Sequence, residues 1–118
     1  MENSLCILVR RSPYGTIHAA EALRHLNGAS AGGLKTAAVL VGDGVYSAKE
    51  GQETDTTGWT SLSAALKRAL EDGPWVYAHE PSLKERGLGL DDLVPGVKTI
   101  NDVEMATLLA GSRWLMLF

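Results

Sequence analysis

Apolar positions along the chain fall into short continuous runs separated by stretches of helical period. Leu5 to Val9 is one such run, and no polar residue alternates through it, the mark of a strand buried on both faces. From Thr16 to Asn27, Ala19, Leu23 and Leu26 recur at i, i+4 and i+7, which predicts a helix with Thr16 as N-cap and Asn27-Gly28 as its stop. Lys35 to Val41 reads as a second strand. Gly42-Asp43-Gly44 then makes a turn, and the polar stretch to Gly58 has no clear period. It is expected as a long surface loop with at most a short helix inside.

Trp59, Leu62, Leu66 and Ala69 form one stripe of a helix from about Trp59 to Glu71, ended by Gly73-Pro74. Trp75 to Ala78 is a third strand, Pro81 opens a short helix to Arg86, and Gly87 closes it. Asp91 and Asp92 begin a brief irregular or helical piece that Pro95-Gly96 interrupts. Val97 to Ile100 is a fourth strand, and Asn101 with Glu104 has the layout of a capping box for a helix ending near Gly111. The chain closes on Trp114 to Phe118, a fifth apolar strand that must be covered by the sheet or by a partner.

Five strands alternating with four helices predict a single domain of three-layer α/β/α architecture, with a five-stranded, mostly parallel sheet and right-handed crossovers. Ligands in such sheets sit beyond the carboxyl ends of the strands. The loops that matter are therefore Arg11 to Thr16, Gly42 to Val45 and His79 to Pro81. Strand order is left open by the pattern.

Charge and cysteine content narrow the function classes. Eleven Lys and Arg against fourteen Asp and Glu give a net charge of −3, and no basic run exceeds Arg10-Arg11, which argues against a nucleic-acid clamp built on phosphate contacts. The single cysteine, Cys6, permits no internal disulfide and no cysteine-based zinc site, so a cytoplasmic setting is expected. No stretch approaches the roughly 20 apolar residues of a membrane span, and Leu5 to Val9 is too short for a signal peptide core. No cofactor motif is present: Gly42-Asp43-Gly44 lacks the remainder of a dinucleotide or P-loop signature.

Four segments, in order and with close spacing, carry a resemblance that covers nearly the whole chain. They are Pro13-Tyr14-Gly15-Thr16 after the first strand, Val41-Gly42-Asp43-Gly44-Val45 at the end of the second, Ser82-Leu83-Lys84-Glu85-Arg86-Gly87-Leu88, and Trp114-Leu115-Met116-Leu117-Phe118. Together they resemble the DsrE/DsrF/TusC-like family of sulfur-relay proteins. The resemblance implies small parallel α/β subunits that form homo-oligomers, trimers or hexamers, or assemble with related cysteine-bearing chains. Some members pass persulfide sulfur between cysteines during tRNA thiouridine synthesis or sulfur oxidation. In those carriers the cysteine lies eight residues before the glycine matching Gly87, and that position here is His79. The resemblance thus supports membership while removing the residue that carries the chemistry.

The residues define the candidate site independently of the family. His79 follows the third strand and precedes a helix start, where amide NH groups stabilise an anion. As a histidine it is either a polar residue satisfied at a strand end or a ligand-binding group, here with Asp43 as a conceivable polar partner. Tyr14, Gly15 and Thr16 offer a hydroxyl and free amides near Arg10 and Arg11 as an anion cradle, with a plain N-cap as the competing reading. Asp43 and Gly44 either admit an anion to the backbone or merely make a turn, the glycines supplying positive φ and the aspartate bonding its own backbone. His18, Glu21 and His25 share a helix face, but a solvated face explains them as well, and no metal site is assigned. Cys6, inside the first strand, is expected as a buried hydrophobe with a raised pKa. Trp59, Trp75 and Trp114 are expected as core or interface anchors.

The leading expectation is a non-carrier subunit or paralogue of a sulfur-relay assembly. The alternative is a stand-alone oligomer binding a small anion at the rim of Tyr14, Asp43 and His79. An enzyme using His79 with Asp43 is a third possibility.

Overall fold

The computed structural model describes residues 4–52 and 61–118. Five parallel strands, β1 (Ser4–Val9), β2 (Lys35–Leu40), β3 (Trp75–His79), β4 (Lys98–Ile100) and β5 (Trp114–Leu117), form one sheet in the order β4-β3-β2-β1-β5. The pairing registers are parallel throughout, with Cys6 opposite Ala37 on one side and Leu115 on the other. The four helices are α1 (His18–Ala31), α2 (Leu62–Glu71), α3 (Glu80–Glu85) and α4 (Asp102–Gly111).

The strand order fixes where the helices go. From β1 to β4 the chain steps outward in one direction, then returns past β3, β2 and β1 to set β5 on the far side of β1. Right-handed crossovers accordingly place the helices of the outward steps on one face and α4 on the other. The larger core lies on the first face, where Ile7, Leu26, Leu40, Leu66, Val76 and Leu83 pack together. On the second face Cys6, Val39 and Ile100 meet Met105, Leu108 and Leu109 of α4.

Several elements differ from their predicted bounds. Helix α1 begins one residue late, with Ile17 rather than Thr16 at the cap position, and it passes through Asn27-Gly28 to end at Gly32-Gly33. An interior glycine costs a helix only about 1 kcal/mol relative to alanine, which burial of Ala22, Leu23 and Leu26 outweighs. The stretch after β2 is not a plain surface loop: Gly42–Ala48 is a 3-10 helix with Val45, Ser47 and Ala48 buried, and Lys49 bridges Leu93. Helix α2 starts at Leu62 on a Ser61 cap, while Trp59 lies outside the described residues. Helix α4 keeps its capping box, the Asn101 side chain accepting from Glu104 N–H at 2.8 Å and the Glu104 carboxylate accepting from Asn101 N–H at 3.0 Å. Trp75 and Trp114 are not core residues, being 53% and 44% exposed; Lys98 and Arg113 lie over their rings.

Candidate functional site

The site candidates divide into two hydrogen-bonded groups. In the first, His79 is the last residue of β3 and the N-cap of α3, with extended backbone at φ −69° and ψ 119°. Its imidazole does not cap the helix. Nδ1 lies 2.7 Å from Ser82 Oγ and Nε2 lies 2.6 Å from Asp102 Oδ1. Ser82 Oγ in turn accepts from Gly42 N–H at 2.8 Å.

Proton positions follow from the donors and acceptors available. The Asp102 carboxylate accepts, so Nε2 carries a proton; in the neutral imidazole Nδ1 then accepts from the Ser82 hydroxyl, whose oxygen also accepts from Gly42 N–H. The chain Gly42, Ser82, His79, Asp102 therefore joins the ends of β2, β3 and β4. Asp102 is the outermost member, with its side chain 73% exposed against 14% for His79. This is also where the connections leaving β3 and β4 part to opposite faces, the position at which open α/β sheets form their crevices.

Asp43 is not the partner of His79. Its Oδ1 accepts from Arg86 Nε at 3.1 Å and Nη2 at 3.0 Å, while Arg86 Nη1 donates to the Ser82 carbonyl at 3.1 Å. Nor does Asp43 bond its own backbone as a turn residue would. Of the two glycines flanking Asp43, only Gly42 has positive φ, at 54°; Gly44 is required for a different reason, since a Cβ there would lie 2.0 Å from the Val9 carbonyl oxygen. The 3-10 helix thus presses directly on the end of β1.

Tyr14, Gly15 and Thr16 belong to a second group. The Tyr14 hydroxyl donates to Gln52 Oε1 and accepts from Leu62 N–H at 3.1 Å. Gln52 Nε2 donates to the carbonyls of Tyr46, Ser47 and Lys49, at 3.2, 3.2 and 2.9 Å. Tyr14 is therefore a clasp between the 3-10 helix and the start of α2. Gly15 has φ 92° in the approach to α1, and Thr16 is exposed and caps nothing.

Cys6 is completely buried, and burial pushes its thiol up to about 11 against a weaker opposing hydrogen bond from Ser112. On α1, His25 Nδ1 meets the Glu21 carbonyl at 2.7 Å, and the Arg24 guanidinium holds the Glu21 carboxyl below its ordinary range. No group of three or more His, Cys, Asp or Glu set to hold a metal occurs among the described residues, nor any helix long and apolar enough to cross a membrane.

Sequence reasoning missed Ser82, Arg86, Asp102 and Gln52. The first two had a readable signal: His79, Ser82 and Arg86 stand at i, i+3 and i+7, one face of the helix that Pro81 announces. Asp102 and Gln52 reach their partners from separate elements and leave no local trace.

Comparison with known proteins agrees with the fold. The DsrE/DsrF-like family model matches residues 3–116. The intracellular sulfur oxidation protein DsrF of Allochromatium vinosum is 38% identical over 89 residues, 74% of this chain and 65% of that protein. A TusC homologue of Vibrio vulnificus is 31% identical over 117 residues, 98% of this chain and 99% of its own length. An uncharacterised protein of Methanopyrus kandleri is 32% identical over 101 residues, 84% of this chain and 82% of that protein. In fold, the crystal structure of the ychN protein from E. coli superimposes with a TM-score of 0.88 at 20% identity, covering 98% of this chain and 99% of that one. The chain is a member of the DsrE/DsrF-like family.

Proposed function

We propose that this chain is a non-carrier subunit of a cytoplasmic sulfur-relay assembly, one that contributes surface and scaffold while a related chain's cysteine holds the persulfide during tRNA thiolation or sulfur oxidation. The reading draws on the likeness to DsrF and to a TusC homologue. The observation that carries it is His79. The resemblance, counted eight residues back from Gly87, sets it against the carrier cysteine, and both of its ring nitrogens are engaged, by Ser82 and by Asp102. The one thiol, Cys6, is buried with its pKa raised, which disfavours the thiolate that sulfur transfer needs. A small-anion binder would draw on Tyr14, Asp43 and His79, and all three already bond to neighbouring elements.

Mass spectrometry of the intact chain after incubation with a cysteine desulfurase and cysteine tests this. The expected product is the unmodified chain, with the His79→Cys variant gaining one sulfur atom under the same treatment. A stable persulfide on Cys6 of the native chain overturns the non-carrier assignment.

A further inference from the structure

On the α4 face of the sheet, the amino-terminal ends of β2 and β3 border a cavity of about 200 Å³. Alternation along the strands sets Lys35 and Ala37 of β2 beside Trp75 and Tyr77 of β3 on this face, with Ala37 and Trp75 directly paired. Leu108 of α4 and Ser112, its C-cap, close the cavity from above. It therefore lies at the opposite end of the sheet from the His79 rim.

The chemistry of its wall is one-sided. Every polar side chain that lines it can donate a hydrogen bond, and none is acidic. Lys35 is exposed and forms no ion pair with a described residue, and neither the Tyr77 hydroxyl nor the Trp75 indole N–H meets an acceptor among the described residues. A second cation stands close by, with Lys98 Nζ 4.6 Å from the Trp75 ring centroid. The end of a helix ordinarily repels an anion through its free carbonyls. At the end of α4, however, the Leu108 carbonyl accepts from Ser112 Oγ at 2.8 Å and the Leu109 carbonyl from Ser112 N–H at 3.3 Å.

We infer that this cavity binds a small organic anion, a monocarboxylate with a compact apolar body. Donors without acceptors call for a ligand that accepts, and the unpaired ammonium of Lys35 calls for one that carries negative charge. Ala37, Leu108 and the Trp75 ring supply the apolar wall against which the body of such a ligand packs. Volume limits its size. A cavity of about 150 Å³ holds benzene, so about 200 Å³ holds a single ring with its carboxylate and is too small for a nucleotide.

This inference does not rest on the sulfur-relay reading, which the persulfide assay tests separately. Titration of the isotope-labelled native chain with benzoate, followed through its amide and indole NMR signals, tests it. Saturable shifts are expected at Lys35, Ala37, Tyr77, Ser112 and the Trp75 indole, with a dissociation constant on the order of 1 mM or tighter, while the amides of Asp43 and His79 stay unmoved. Benzylamine, the same ring with a positive charge, is expected to bind at least about tenfold more weakly. Lys35→Met is expected to weaken benzoate binding at least about tenfold and Lys35→Arg to retain it; Lys35 is exposed, so neither change disturbs the core. The inference is overturned if benzoate gives no saturable shift at about ten times the expected dissociation constant, or if the shifts centre on Asp43 and His79. It is also overturned if benzylamine binds as tightly, or if Lys35→Met binds benzoate as the native chain does.

Discussion

His79 Nε2 lies 2.6 Å from Asp102 Oδ1, so the residue that ends β3 is tied to the residue that begins α4. Through Ser82 the same imidazole reaches the Gly42 amide. One side chain therefore holds the rim of the sheet where its connections diverge.

The two ends of this chain differ in burial, and so should their deletion costs. Ser82→Ala strands the Gly42 N–H and His79 Nδ1 in a protected place, a loss of about 2–3 kcal/mol. Asp102→Ala removes an exposed partner and is expected to cost about 1 kcal/mol or less. Urea unfolding monitored by circular dichroism should rank the variants in that order; equal costs would mean that the buried part of the chain is not formed.

Gly44 is held by contact, not by dihedral angle. A methyl at 2.0 Å from the Val9 carbonyl oxygen forces the 3-10 helix away from β1, so Gly44→Ala is expected to destabilise by about 3 kcal/mol. The thermal midpoint should fall by on the order of 10 °C. A midpoint within a degree or two of the native value would contradict the close approach.

Tyr14→Phe removes a hydroxyl that joins Gln52 to the first amide of α2. The expected cost is about 1–2 kcal/mol, and hydrogen exchange should quicken at the Leu62 amide before it does in β1. Uniform quickening across the sheet would show that Tyr14 acts through the core instead.

The Cys6 thiol, raised from 9.0 to about 11 by burial, favours its protonated form in the folded state. Its contribution is fully present below pH 9 and is lost as pH climbs toward 11, amounting to about 3 kcal/mol. Stability measured from pH 8 to 11 should therefore fall less steeply for Cys6→Ala than for the native chain. At neutral pH the native thiol should resist alkylation until the protein is unfolded; prompt labelling of folded protein would place it at the surface.

The alternation of apolar runs and helical stripes was enough to determine the α/β class, the five strands, and the core faces of α1 and α2, because those features follow from burial repeated at a fixed period. The capping box of α4 was legible for the same local reason: its donors and acceptors lie three residues apart. Local spacing also held the i, i+3, i+7 relation of His79, Ser82 and Arg86. Only the folded chain decided that His79 pairs with Asp102 rather than Asp43, that Tyr14 clasps Gln52 and Leu62, and that Gly44 is pressed against Val9. These contacts join residues tens of positions apart, and their existence depends on the strand order, which sets β3 beside β4 and carries α4 alone across the far face. Periodicity reports which side of an element is apolar; it carries no information on which element lies opposite, and every function proposed for this chain depends on that neighbour.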